Sequence, residues 1–166
     1  YDHLIVELPH VKNALMKDNF FSNKKISVVG NAISEIFFVS KDWSPINSKF
    51  KLNADIKLGF LGRSYEHKNL KILIDVDEIL TNKYELRCDF LFTLTKGEMV
   101  NNKFNDKSNF YTTGNITSNQ CPNFYELIDA LIFPSLLECF SVTPLEAMIM
   151  KKQVIASNRS FIRDVC

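Results

Sequence analysis

The sequence predicts an α/β fold: a Rossmann-like, doubly wound parallel sheet with helices on both faces. Three observations predict it. From residue 55 onward, short β-type runs alternate with helix-type runs, the signature of βαβ units. At 166 residues and 46% hydrophobic, the chain suits one domain, or one domain and a fragment. Polar, glycine-bearing turns sit at strand-to-helix junctions, where parallel sheets hold ligands beyond the carboxyl ends of their strands.

The elements follow in order. "HVKNALMKDNFF" (10–21) has apolar residues at Val11, Ala14 and Leu15 and predicts a short helix. "KISVV" (25–29) is rich in β-branched residues and ends at Gly30-Asn31, a strand before a turn. Residues 39–55 are polar, contain Pro45 and read as a linker or long excursion. "DIKLGFLG" (55–62) alternates at Ile56, Leu58 and Phe60, a strand. "NLKILIDVDEIL" (69–80) has one apolar face and reads as a helix with Asn69 as N-cap. "LRCDFLFTL" (86–94) alternates again as a strand. Residues 95–120 are rich in Asn, Thr, Ser and Lys, with a short strand and turn inside 110–116. "NFYELIDAL" (123–131) reads as a helix whose capping box pairs Asn123 with Glu126. "LIFP" (131–134) is a short buried strand. "TPLEAMIM" (143–150) is a helix opened by Thr143 as N-cap and Pro144, and "QVIAS" (153–157) is the last strand.

Composition narrows the function. A net charge of +1 gives no field that favours nucleic acid or anionic lipid. No apolar run approaches the roughly 20 residues of a membrane span. "YDHLIVELPH" lacks the basic and apolar segments of a signal peptide, and a start at Tyr1 without Met points to a fragment. Four cysteines at irregular spacing argue against zinc or a disulfide framework and for reduced thiols in the cytosol. Fourteen phenylalanines are read as core filling. The five glycines never form G-x-G-x-x-G, which argues against a dinucleotide-binding dehydrogenase.

Three clusters fall at the junctions where ligands belong. "GRSYEHK" supplies Gly62, Arg63 and Lys68, two cations around a turn that could hold a diphosphate by charge-assisted hydrogen bonds; solvated surface cations are the alternative. His67 beside them is a bystander. Gly114, Asn115 and Ile116 form a turn whose backbone can approach a base closely, or an ordinary turn. "SLLECFSVTPLEAM" holds Glu138 and Glu146, with the small residues Cys139 and Ser141 between them. Carboxylates accept pairs of hydroxyl hydrogen bonds, which suits ribose and hexose. The plain alternatives are a solvated loop carboxylate for Glu138, a Thr143–Glu146 capping box and a small filler at Cys139. A glycosidase carboxylate pair is out of place on a doubly wound sheet with phosphate-type cations.

In this order the clusters resemble the family-4 retaining glycosyltransferases of the GT-B fold, also described as glycosyl transferases group 1. Their C-terminal, donor-binding half carries G-R-x4-K and E-x7-E motifs. The matching strings are "GRSYEHKNLKILID" and "PSLLECFSVTPLEAMIMKKQVIAS", with "KISVVGNAIS" resembling a strand that ends in P-N-G-V. Cys139 and Ser141 stand where the family commonly has glycine, Gly30 where proline and Ala32 where glycine are usual, and Lys151-Lys152 replace a common Cys/Gly-rich turn.

The resemblance implies one half of a GT-B fold. Residues 1–24 are then the strand-helix tail of the N-terminal domain or a linker. Residues 25–166 are the C-terminal nucleotide-sugar-binding domain, ending before the family's final helices. It implies a metal-independent transferase that moves a sugar from a UDP- or GDP-linked donor to a glycan or lipid-linked acceptor, with no cofactor. Arg63 and Lys68 would neutralise the departing diphosphate, Glu138 would hold the sugar and Glu146 the ribose. Backbone at Cys139, Phe140, Ser141, Val142 and Thr143 would touch phosphate or sugar, and Gly62, Gly114 and Ile116 would line the donor. The acceptor would bind through an N-terminal domain missing here, so the fragment alone would be inactive. The implied setting is bacterial capsule or lipopolysaccharide synthesis in the cytoplasm, with peripheral association of the full-length protein at the inner membrane face and no nucleic-acid partner. The alternative is a non-catalytic nucleotide-binding or interaction module of the same fold.

Overall fold

Two parallel sheets organise the chain in the computed structural model, which describes residues 2–47 and 49–166. Tyr1, and Ser48 within the expected excursion, lie outside the described residues. The small sheet pairs β1 (His3–Val6) with β2 (Lys25–Val28) across α1 (Pro9–Leu15). The boundary expected between residues 24 and 25 falls inside this βαβ unit.

The main sheet contains β3 (Ile56–Phe60), β4 (Cys88–Phe92), β5 (Phe110–Thr112), β6 (Ala130–Phe133) and β7 (Gln153–Ala156). All neighbours are parallel, in the order β5-β4-β3-β6-β7. The chain winds outward from β3 in one direction, then returns to β6 and winds in the other. The two halves diverge between β3 and β6, the switch point of a doubly wound sheet. The connections carry α2 (Ile72–Tyr84), α3 (Lys96–Asn101), α4 (Cys121–Glu126) and α5 (Thr143–Ile149); α6 (Ser160–Arg163) follows β7.

Strand side chains alternate between two faces, and each face has its own core. Leu58, Phe60, Phe90, Phe92 and Ile132 pack under α2 and α3 with Leu73 and Met99. Leu91, Leu131 and Phe133 pack on the other face with Phe124, Tyr125, Ile128, Ala147 and Phe161. Much of the phenylalanine is indeed core filling: Phe104 stacks on Phe92 at 4.8 Å and meets Phe110 edge-on at 5.0 Å. Each such aromatic pair adds about 0.5–1.5 kcal/mol beyond burial. Gly59 is a packing requirement, since a Cβ there would lie 2.5 Å from Ile128 Cδ1. Buried Asp89 accepts the backbone N–H groups of Asn53 and Ala54 at 2.6 and 2.9 Å, fastening the excursion to β4. Near the chain's two ends, one carboxylate oxygen of Asp164 receives both the backbone N–H and the ring of His10 at 2.9 Å.

Several helix starts differ from the sequence reading. Asn69 is left-handed (φ 53°) and closes a 3-10 turn at Glu66–Lys68, so α2 begins later, at Ile72. Asn123 does not cap α4, which opens at Cys121 with Pro122 in its first turn, where no backbone donor is needed. The Asn123 amide instead donates to the Ser44 carbonyl at 2.7 Å, and the capping box lies earlier, between Thr117 and Gln120. Thr143 is inside α5, with Val142 at the cap position, and the Thr143–Glu146 box is not formed. Thr143 meets Ser141 hydroxyl to hydroxyl at 3.1 Å instead. The polar stretch after β4 contains α3, which the sequence reading passed over although Thr95-x-x-Glu98 is a capping-box signature, formed in full here. The helix expected over 10–21 stops at Leu15. Among the described residues no helix is long and apolar enough to cross a membrane.

Candidate functional site

The loops leaving β3, β4, β5 and β6 all emerge at the carboxyl rim of the main sheet, and they carry the singled-out residues. Gly62 follows β3. Its N–H donates to Thr93 Oγ1 at 2.9 Å, and the same hydroxyl donates back to the Gly62 carbonyl at 3.2 Å, locking the ends of β3 and β4 together. Gly62 and Gly114 have φ of 149° and 71°, a backbone region that L side chains rarely adopt. In the second turn the Gly114 N–H donates to Thr112 Oγ1 at 2.9 Å.

Arg63 is held from two sides. Its Nε lies 3.2 Å from Glu98 Oε1, and Nη1 donates to Asn115 Oδ1 at 3.1 Å. Glu98 projects from the first turn of α3. It also accepts the Ser64 N–H at 3.0 Å and both the N–H and hydroxyl of Thr95 at 2.8 Å. Burial raises the Glu98 pKa, but those donors and the Arg63 charge outweigh it, and the carboxyl ends up below its ordinary value. Arg63, Asn115, Gly62, Thr93, Ile116 and Cys121 line a cleft of about 350 Å³.

Lys68 is held differently. Its ammonium lies 2.5 Å from Glu138 Oε1, in a pair whose side chains are only 15% and 10% exposed. The ring of Phe133 lies 5.4 Å away. The same two loops are joined by the Leu136 N–H, which donates to the His67 carbonyl at 2.8 Å. His67 stacks on exposed Tyr65 at 5.7 Å. The pair is part-buried, so each charge relies on the other for much of its compensation. Glu138 is therefore not a solvated loop carboxylate.

Glu146 is buried and receives the Tyr125 hydroxyl at 2.9 Å. Burial pushes the Glu146 carboxyl above its ordinary value, partly offset by that hydrogen bond. Tyr125 is held far above its usual range, first by burial and then by the Glu146 charge. Cys121, on the cleft wall, is pushed up to about 11 by burial and by Glu146. Cys139 is exposed, which its filler reading did not anticipate, while Phe140 tucks its ring against the core.

The structure thus joins Arg63 to the Gly114–Ile116 turn and Lys68 to Glu138, and buries Glu146 against Tyr125. Sequence reasoning missed Thr93, Glu98 and Tyr125. The capping-box spacing was a signal for Glu98, whereas nothing local marks Thr93 or Tyr125.

The strand order and the ligand-side rim define the class, a doubly wound α/β domain of Rossmann-like form. The family model for glycosyl transferases group 1 matches residues 55–166, and the chain belongs to that family. It is 27% identical over 168 residues to the O-antigen chain mannosyltransferase RfbU of Salmonella typhimurium; the match covers 98% of this chain but 44% of the relative. In fold it is similar to a glycosyltransferase from Rickettsia africae, with TM-score 0.72 and 20% identity over 96% of this chain and 45% of that one. It is also similar to a mutant of S. aureus TarM solved with fondaparinux, alpha-GlcNAc-glycerol and UDP. There the TM-score is 0.68 and the identity 18% over 96% of this chain and 30% of that one. The chain is a C-terminal group 1 domain of GT-B type, as its motifs implied, and it spans less than half of these relatives.

Proposed function

We propose that this domain holds the nucleotide-sugar donor of a retaining, metal-independent hexosyltransferase acting in bacterial surface polysaccharide synthesis. The observation that carries the reading is that Arg63, bonded to Asn115 of the 114–116 turn, and the Lys68–Glu138 pair stand on loops at one rim of the sheet, beside the switch point. In this reading Arg63 and Lys68 meet the diphosphate and stabilise charge on the leaving group, a task that other transferases give to a metal ion. Glu138 receives hydroxyls of the transferred sugar and Glu146 those of the ribose. Gly62, Gly114 and Ile116 face the nucleoside, and backbone from Cys139 to Thr143 approaches phosphate and sugar.

A relative named as an O-antigen mannosyltransferase supports a hexosyl donor and a capsule or lipopolysaccharide product. A neighbour solved with UDP supports a nucleotide in the cleft. The acceptor, a glycan or a lipid-linked glycan, is met by the rest of a longer protein, which works in the cytoplasm at the membrane's inner face.

Calorimetry with UDP, GDP and their sugar conjugates tests the reading. At least one nucleotide binds at millimolar concentration or below, and Arg63→Ala weakens it by about tenfold or more, the weight of one charge-assisted hydrogen bond. Absence of binding to either nucleotide, together with no effect of Arg63→Ala, would exclude it.

A further inference from the structure

The two cations at the rim are committed to different degrees. A guanidinium carries five N–H donors. Arg63 directs Nε at Glu98 and one Nη1 hydrogen at Asn115, and its side chain is 52% exposed. A diphosphate can take the remaining donors without displacing Glu98. Lys68 faces Glu138 at 2.5 Å, and the Phe133 ring lies 5.4 Å from its ammonium. Among the described residues Glu138 has no hydrogen-bond partner except Lys68. Both side chains are largely shielded from water, so solvent is a poor substitute for either partner. The Leu136–His67 backbone bond keeps the two loops together.

We propose that Glu138 and the donor diphosphate compete for Lys68, so that sugar bound at Glu138 sets how firmly the diphosphate is gripped. This rests on the donor-site reading above. Glu138 holds Lys68 through one carboxylate oxygen. Sugar hydroxyls that donate to Glu138 satisfy its oxygens, weaken its hold on the ammonium and release the one N–H it engages to turn toward phosphate oxygens. Once the sugar has gone, Glu138 recaptures Lys68 and the grip on the nucleoside diphosphate loosens. The pair thereby favours the sugar-bearing donor over the spent nucleotide, using a carboxylate already in the site. Arg63, anchored independently by Glu98, supplies the constant part of the grip.

The test is calorimetry on this chain with UDP, GDP, UDP-N-acetylglucosamine and GDP-mannose. The proteins are wild type, Glu138→Gln, Lys68→Gln and the double variant, with folding checked by thermal melting. For the nucleotide that binds, Glu138→Gln tightens the free diphosphate by about tenfold, the gain from one released charge-assisted donor, and narrows the preference for the sugar conjugate. In the Lys68→Gln background the same change alters affinity by less than about twofold, since the competed group is absent. Should Glu138→Gln fail to fold, Glu138→Asp, which keeps the charge but shortens its reach, shows the same direction with a smaller gain. An unchanged or weakened diphosphate affinity in a folded Glu138 variant overturns the exchange, as does a gain that survives loss of Lys68. If binding depends on Arg63 but not on this exchange, only the exchange falls. If no nucleotide binds and Arg63→Ala is silent, the donor-site reading falls and takes the exchange with it.

Discussion

The Tyr125 hydroxyl donates to Glu146 Oε2 at 2.9 Å, joining α4 to α5 in the interior. Tyr125 is fully buried and Glu146 is 8% exposed, so this bond lies in the interior and one carboxylate oxygen is partnered by a phenol. Tyr125→Phe keeps the ring and removes the donor. We expect a loss of about 1–3 kcal/mol, the cost of leaving a buried acceptor unsatisfied. The Glu146 carboxyl should rise further above its ordinary value. Urea unfolding measures the first effect, and NMR titration of the Glu146 side chain measures the second.

The same carboxylate shapes the pH dependence of stability. Its folded value lies above the ordinary 4.5, chiefly through burial. The unfolded chain therefore releases this proton at lower pH than the folded one. Stability falls as pH rises from the unfolded value through the folded value, then levels off. Glu146→Gln should remove that decline from unfolding midpoints recorded between about pH 4 and about pH 7. A decline of the same size in the variant would assign it to another group.

Glu98 runs the opposite way. Its folded value is lowered: burial alone would raise it, and the N–H groups of Ser64 and Thr95, the Thr95 hydroxyl and Arg63 more than compensate. Its contribution is complete above the unfolded value and is lost as pH falls through the folded one. Glu98→Gln should flatten this acid limb. Glu98→Ala should also remove half of the α3 capping box and cost about 1–2 kcal/mol at neutral pH. Denaturant titrations of both variants at two pH values separate the charge from the cap.

Packing at the switch point gives a further expectation. A methyl group at Gly59 would sit 2.5 Å from Ile128 Cδ1 and 3.1 Å from a Phe124 ring carbon. Gly59→Ala should destabilise the fold by about 1–3 kcal/mol, as overpacking does. Paired with Ile128→Val, which shortens that side chain, the double variant should recover part of the loss. Thermal melting of the two singles and the double decides it.

The sequence alone determined the alternation of strand and helix and the rim where the loops meet. Both are local matters. The apolar positions at Ile56, Leu58 and Phe60 and the glycine-bearing turns at Gly62 and Gly114 are written in consecutive residues. The motifs at Arg63, Lys68, Glu138 and Glu146 were legible for the same reason, and they led to the family. Only the tertiary structure decided which group each acid faces. Glu138 meets Lys68 from 70 residues away, and Glu146 meets Tyr125 from 21 residues away in place of the local cap that its spacing suggested. A buried carboxylate takes the donor that the packing presents to it, and that donor is fixed by strand order and by helix placement across the sheet, which sequence spacing does not encode.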